Sequence, residues 1–159
     1  GLYLFIKKYK FKNFLWIFDR LTIPIAIGGA FVRIGNFFNS EILGKYTNSD
    51  WGIIFENRGE TLPRHPAQLY ESFGYLILFI ILYRLYQYSN IRDRKGVLSG
   101  YFLIGLCFIR FMVEFVKESQ GGIETFLPGL STGQWLSIPF IILGFILLFN
   151  KEGSTKSIS

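Results

Sequence analysis

Nine consecutive residues combine an arginine, two asparagines and a glutamate at the end of a long apolar run. They read RIGNFFNSE, from Arg33 through Asn36 and Asn39 to Glu41, and they close the run 14–38. Arg33 and Asn36 are three residues apart, so on a helix their side chains share one face. A charged side chain near the depth of a bilayer is costly and marks a functional site by default. We therefore predict that this stretch carries the chemistry of the chain.

Arg110 and Glu114 form a second charged pattern within an apolar stretch. At i and i+4 they share a helical face and can form an ion pair that only packs helices together. The alternative for Arg33 is a purely structural role, in which its long side chain extends to the membrane–water interface. If both guanidinium groups face one cavity, they suit a phosphate, which arginine grips with parallel hydrogen bonds. The natural phosphate at that depth is an anionic lipid head group.

The remaining candidates leave alternatives open. His65, the only histidine, either acts as a general base or caps the start of a helix. Asn36 and Asn39 either satisfy backbone groups at a helix end or bind glycerol hydroxyls. One histidine and no acidic cluster argue against a metal site, and no cofactor is predicted. The single cysteine, Cys107, lies in an apolar run, which favours packing over catalysis.

The elements that position these residues are apolar and helical. The 159 residues are 50% hydrophobic and only 18% charged, and four apolar stretches approach the roughly 20 residues that span a bilayer as a helix. We predict an all-α, polytopic membrane helix bundle, a single transmembrane domain over 1–159 with a small external polar segment. Its four full transmembrane helices would cover 14–38, 66–88, 96–116 and 132–149. Within the polar segment, residues 51–55 form either a short strand or an aromatic anchor.

The start of the chain suggests a missing part. Gly1 leads directly into an apolar stretch, residues 2–6, which precedes a cluster of lysines. We interpret this stretch as the end of a truncated span. The chain is therefore expected to be the C-terminal part of a larger protein.

The charges of the polar segments predict the topology. Residues 7–20, 39–66, 84–95, 117–130 and 151–159 carry net charges of +4, −1, +3, −1 and +1. The positive-inside rule places the first, third and fifth on the cytoplasmic side. Arg33, Glu71, Arg110 and Glu114 then all fall towards the outer leaflet. The overall charge of +6 is interpreted as a topology signal, and no nucleic acid is expected as a partner.

The motifs resemble those of the prolipoprotein diacylglyceryl transferase family over nearly the whole chain. The resemblance rests on several ordered segments, which are 33–41 with Gly44, Trp51-Gly52, 63–71 (PRHPAQLYE), 108–115 (FIRFMVEF) and 133–137 (GQWLS). Val32 and Ser40 depart from the family pattern, which usually has glycine at both positions. The family's His-Gly-Gly motif, a candidate base, is not in this chain. This fragment alone is therefore expected to be inactive.

The resemblance implies a membrane transferase of bacterial lipoprotein biosynthesis. Such an enzyme moves the diacylglyceryl group of phosphatidylglycerol to the lipobox cysteine of a prolipoprotein signal peptide, in the cytoplasmic (inner) membrane. It implies Arg33 and Arg110 as essential arginines, with His65 as the third catalytic candidate. The substrate-binding candidates are Arg33, Asn36, Asn39, Glu41, Gly44 and Glu114. The alternative function is a non-catalytic transporter or scaffold fragment that binds anionic lipid.

Overall fold

A computed structural model describes residues 14–88, 91, 94–118 and 129–149. Within these ranges the chain is helical and has no named strand. The four α-helices are α1 (Phe14–Phe38), α2 (Ala67–Tyr88), α3 (Val97–Val113) and α4 (Thr132–Phe149). A short 3-10 helix, Glu56–Arg58, lies in the polar segment 39–66. The all-α prediction is confirmed for this part of the chain.

Three of these helices, α1, α2 and α4, are long and apolar enough to cross a membrane. Helix α3 is apolar but has only 17 residues. It was predicted to run from 96 to 116, yet it ends at Val113, and residues 114–116 form turns instead. The last turn of the predicted helix is not helical, because the backbone N–H of Lys45 donates to the carbonyl of Val116 at 2.8 Å. That contact comes from a distant part of the chain, which local sequence patterns do not reveal.

Close packing between the helices depends on small residues. A Cβ on Gly100 of α3 would lie 2.8 Å from the carbonyl oxygen of Gly144 in α4, so glycine lets these two backbones approach. Between α1 and α2, the Ser72 hydroxyl donates to the carbonyl of Ala30 at 3.0 Å. The core between α1, α2 and α3 consists of Ala26, Leu78, Leu82, Leu98 and Phe102.

A buried aspartate fixes α1 against the start of α3. The carboxylate of Asp19 accepts hydrogen bonds from the backbone N–H groups of Gly96, at 2.6 Å, and Ser99, at 2.8 Å. An anion is stabilised there because the first N–H groups of a helix lack intrahelical partners and carry partial positive charge. Asp19 and Arg33 are 14 residues apart on α1, so about 21 Å of helix separates this contact from the charged motif.

The polar segment folds back on the helix ends through isolated backbone pairs. Gly44 pairs with Lys117, and Arg64 pairs with both Tyr46 and Ile53. Ile53 therefore makes a single bridge where a strand over 51–55 had been one alternative. Trp51 is 67% exposed, so its side chain is free to act as the aromatic anchor that was the other alternative.

Several predictions lie outside the described residues. These concern the truncated span at 2–6, the lysine cluster at 7–12 and the tail 151–159. The same holds for Arg92 and Asp93 in the loop 84–95 and for most of the loop between α3 and α4.

Candidate functional site

Arg33, at the start of the segment 33–41, forms an ion pair with Glu71 of α2. Arg33 Nε lies 2.7 Å from Glu71 Oε2, and the two side chains are 16% and 1% exposed. The N–H of Arg33 does not point along this line, so the contact is an ion pair and Glu71 Oε2 lacks an aligned hydrogen bond. Glu71 lies directly after the first turn of α2, which packs against α1. The sequence analysis predicted Glu71 towards the same side of the membrane as Arg33 but did not identify it as a partner of Arg33.

Lys117 is a cation of this site that the sequence analysis did not single out. Its side chain is 8% exposed, and its ammonium lies 3.4 Å from Glu71 Oε1 and 3.8 Å from Glu114 Oε2. Glu71 therefore has one oxygen towards Arg33 and the other towards Lys117. In the sequence Lys117 belongs to a polar loop after α3, where a lysine is usually solvated. Only the bridge to Gly44 reveals that it turns inwards.

Glu114 is held against the first turn of α4. A Cβ on Gly133 would lie 2.6 Å from Glu114 Oε2 and 2.8 Å from Oε1, so the carboxylate occupies the space that any other residue at 133 would need. The ion pair of Glu114 is with Lys117. Among the described residues, Arg110 and Glu114 do not form an ion pair, although Glu114 keeps a helical backbone and donates its N–H to the carbonyl of Arg110.

Two buried donors lie where α3 ends and α4 begins. Arg110 Nε and Trp135 Nε1 are both shielded from solvent and, within the described part of the chain, have no hydrogen-bond partner. The phenol of Tyr75 lies within electrostatic range of Glu71, Arg33 and Arg110 and is buried. The structure therefore brings the two arginines to one buried neighbourhood. Buried donors without an acceptor are rare in native proteins, and the binding of a ligand with acceptor oxygens is one explanation for them.

The end of the first motif forms a tight turn onto α2. Asn36 links its two charged neighbours, since its Oδ1 lies 3.5 Å from Arg33 Nη1 and its Nδ2 donates to Glu41 Oε2 at 2.7 Å. The side-chain amide of Gln68 donates to the carbonyl of Glu41. Asn39, by contrast, is exposed at the helix end.

Two residues of this turn adopt a left-handed backbone. Ser40 and Ile42 both have φ of 55°, a region that costs about 1–2 kcal/mol for a residue with a side chain. This explains why glycine suits position 40, where this chain has serine. Such strain occurs where the surrounding structure requires it, often at functional sites. Val32, the other departure, is exposed on α1 and meets no such constraint.

Gly44 and His65 lie together at the start of α2. A Cβ on Gly44 would be 2.3 Å from the carbonyl oxygen of His65, so only glycine fits there. The backbone N–H of Gly44 donates to that carbonyl at 3.2 Å. The His65 ring is partly exposed, and its Nδ1 lies 3.3 Å from the hydroxyl of Tyr70. The carbonyl of His65 also accepts from Ala67 N at 2.8 Å, so the residue serves the helix start through its backbone while its ring remains available.

Arg64 joins the polar segment to the end of α3. Its buried guanidinium donates to the Gly44 carbonyl at 3.0 Å and to Glu60 at 2.8 Å. It also lies 3.0 Å from Glu118 Oε2 and 3.9 Å from the ring centre of Tyr46. The hydrogen bond from Arg64, followed by that from Tyr46, lowers the pKa of Glu60. Arg64 thus fixes Gly44 and, across the bridge, the backbone that carries Lys117.

Comparisons with known proteins identify sequences that are similar to this chain. Residues 1–150 match the family model described as prolipoprotein diacylglyceryl transferase. A protein of Tolumonas auensis named phosphatidylglycerol–prolipoprotein diacylglyceryl transferase is 43% identical over 93% of this chain and 56% of its own length. Proteins with the same name from Bacteroides fragilis (40%; 98% of this chain, 56% of theirs) and Chlamydia trachomatis (45%; 89% and 52%) are similar to it too. The chain spans about half the length of these relatives.

Proposed function

The chain belongs to the prolipoprotein diacylglyceryl transferase family, and we propose that it forms the lipid-phosphate half of that enzyme's active site. In the reaction, the cysteine sulfur of a prolipoprotein attacks the glyceryl carbon of phosphatidylglycerol that is bonded to the phosphate oxygen. That carbon–oxygen bond breaks, and its electron pair stays on the oxygen. A thioether and glycerol phosphate result, and a base accepts the thiol proton.

The observation that carries the proposal is the pair of unsatisfied buried donors, Arg110 Nε and Trp135 Nε1. Phosphate oxygens are the acceptors that such groups lack, and a guanidinium matches them geometrically. Arg33 supplies a second guanidinium close to the same buried phenol, Tyr75. Donors that are already in place when charge develops on the leaving phosphate would lower the barrier without rearranging.

The other candidates have supporting roles in this proposal. Asn36 and Glu41 hold the motif turn beside Arg33, and Asn36, with the exposed Asn39, can also meet glycerol hydroxyls. Glu114 pairs with Lys117, and Gly44 permits the close approach of residues 44 and 65. His65 is the candidate base within this chain, since its ring is partly exposed and oriented by Tyr70.

We further propose that α3 also crosses the membrane, which gives four spans, and that the site faces the outer leaflet of the bacterial inner membrane. Helix α3 has 17 residues, about 26 Å of helix, slightly less than the roughly 30 Å of a hydrocarbon core. The turns at 114–116 extend it towards the polar segment. The lipobox cysteine of a signal peptide would then approach from the same side as the lipid head group.

The test is transfer of labelled lipid to a lipobox peptide by the full-length protein. Arg33→Gln and Arg110→Gln should each lower the rate roughly a hundred- to a thousandfold, because loss of one such contact typically costs about 2.7–4 kcal/mol. Arg33→Lys should recover only part, because an ammonium cannot form two parallel hydrogen bonds. Arg84→Gln, which removes an exposed arginine of α2, is the matched control and should stay active. Full activity of Arg33→Lys would refute the phosphate assignment.

A further inference from the structure

In this structure Arg33 is already engaged by an anion. Glu71 Oε2 lies 2.7 Å from Arg33 Nε, and the Glu71 side chain is almost completely buried. A lipid phosphate that binds Arg33 must compete with this carboxylate. If lipid binding only broke the ion pair between Arg33 and Glu71, the buried carboxylate of Glu71 would be left without a compensating cation, which is strongly unfavourable.

Lys117 offers a solution to this conflict. Its ammonium is 3.4 Å from Glu71 Oε1, the oxygen that does not face Arg33. Glu71 therefore has a second buried cation in reach before any ligand arrives. Lys117 itself stays compensated by Glu114 at 3.8 Å.

The position of Lys117 is fixed by the backbone. Gly44 and Lys117 face each other between two hydrogen bonds, from Lys45 N to Val116 O at 2.8 Å and from Glu118 N to Leu43 O at 3.2 Å. This is the non-hydrogen-bonded type of antiparallel pair, in which the two Cα atoms approach most closely. The backbone pair thus fixes the Cα of Lys117, from which the side chain reaches Glu71.

We propose that Glu71 is a placeholder anion, which pairs with Arg33 as the structure shows and passes to Lys117 when a lipid phosphate binds Arg33. Lys117 is then a positioning residue, which acts on the lipid through Glu71 and does not need to touch it. The proposal rests on the proposed function for the identity of the ligand. The exchange keeps Arg33, Glu71 and Lys117 paired in both states, so phosphate can enter without leaving Glu71 unpaired.

The competing interpretation is that Lys117 contacts the phosphate directly. The two interpretations predict different lipid affinities for a variant that lacks the charges of both Lys117 and Glu71. If Lys117 retains Glu71, Lys117→Gln weakens lipid binding because Glu71 no longer releases Arg33. Removing the charge of Glu71 should then abolish that defect. If Lys117 binds the phosphate itself, the defect should persist in the double variant.

The experiment measures how phosphatidylglycerol raises the thermal unfolding midpoint of the detergent-extracted full-length protein, together with KM and kcat for transfer. Lys117→Gln should weaken apparent lipid affinity about tenfold, within the range of roughly 2- to 150-fold that residues in one ion-pair network show. Its midpoint without lipid should fall only slightly, because Glu71 retains Arg33 at 2.7 Å and Glu114 loses only a longer contact, at 3.8 Å. Glu71→Gln/Lys117→Gln should return the affinity to within about twofold of the unchanged protein, as expected when the coupling is lost with both partners.

Lys45→Gln is the matched control, since Lys45 lies on the opposite side of the same bridge and its ammonium donates to the carbonyl of Phe115 at 2.9 Å. It should leave the affinity unchanged, and diacylglycerol without phosphate should shift no midpoint. A double variant as weak as Lys117→Gln, or a lipid-free midpoint that collapses in Lys117→Gln, would overturn the exchange. If the unchanged protein binds phosphatidylglycerol but transfers nothing, the proposed function fails while the midpoint shifts still decide the exchange.

Discussion

Glu114 occupies the space that a side chain at position 133 would fill, so a single glycine in α4 sets where a carboxylate of the candidate site can lie. The close atoms are the two carboxylate oxygens and Cδ, at 2.6 to 2.8 Å from a Cβ built on Gly133. These atoms are the far end of a flexible side chain. They can therefore move at small steric cost, but only by leaving their place beside Lys117.

The close contact between position 133 and Glu114 predicts that a side chain at this position lowers activity without lowering stability. Gly133→Ala should lower transfer by the full-length protein while its unfolding midpoint changes little. Alanine favours a helix over glycine by about 1 kcal/mol, which offsets the displacement of Glu114. The measurement is kcat for lipid transfer beside thermal unfolding of the same preparation.

Gly28→Ala is the control for this prediction. Gly28 also lies in a helix, and a Cβ there meets no described atom within 4 Å. It should preserve both activity and midpoint. A Gly133→Ala protein with normal kcat would show that the position of Glu114 does not matter for the reaction.

At the scale of single residues, the sequence predicted some of the contacts in the candidate site. Spacing predicted that Arg33 and Asn36 share a helical face, and the structure joins Asn36 to both Arg33 and Glu41. Lys117 and Tyr75 were missed because a loop lysine and a helical tyrosine in an apolar run carry no local signal of function. Their roles depend on contacts with residues far away in the sequence.

At the scale of elements, the polar segment is held to the helix ends by Arg64. One buried guanidinium contacts the Gly44 carbonyl, Glu60, Glu118 and the ring of Tyr46. No lysine could reach all of these, since its ammonium is a single point charge. Arg64 lies in the motif 63–71, yet the sequence suggested a role only for its neighbour His65.

The contact predicts a measurable titration. The pKa of Glu60 is lowered chiefly by its hydrogen bond from Arg64. A carboxyl with a lowered pKa in the folded state stabilises the fold above its unfolded pKa, and that contribution is lost as pH falls through the folded value. The Glu60–Arg64 contact should therefore persist from pH 7 to about 5 and weaken below about 4.

Carbon NMR of labelled glutamate would check this titration. In Arg64→Gln the pKa of Glu60 should rise towards its ordinary value. In Arg58→Gln it should move much less, because Arg58 contributes least among the causes of the shift. An equal change in both variants would contradict the assigned contact.

The backbone bridge between Gly44 and Lys117 explains why the sequence predicted some helix ends and not others. Helices α1 and α4 have the predicted bounds, because polar residues flank predominantly apolar runs at 14–38 and 132–149. The end of α3 was predicted wrongly, because its last turn is redirected by hydrogen bonds to residues 43–45. Local apolarity decides where a helix can form, and long-range pairing decides where this one stops.

At the scale of the whole molecule, two fixed ends position one site. Asp19 fastens α1 to the start of α3 at one end of the bundle. At the other end, Arg33, Glu71, Glu114 and Lys117 form a chain of ion pairs that joins α1, α2 and the residues after α3. Because the helices are connected at both ends, reversing the charge of one of these four residues should disturb the ion pairs of the others.

The orientation of this bundle in the membrane follows from its loop charges and is our last prediction. Residues 39–66 carry a net charge of −1 and residues 84–95 a net charge of +3, so the positive-inside rule places the former outside and the latter in the cytoplasm. Cysteines are introduced singly at Asp50 and at Arg94, both exposed, in a Cys107→Ala background that removes the one thiol of these 159 residues. In intact cells an impermeant thiol reagent should label Asp50→Cys, while Arg94→Cys should react only after the membrane is opened. Since Arg33, Glu71 and Lys117 lie on the side of the polar segment, the reverse labelling would place the phosphate site at the inner leaflet, away from exported prolipoproteins.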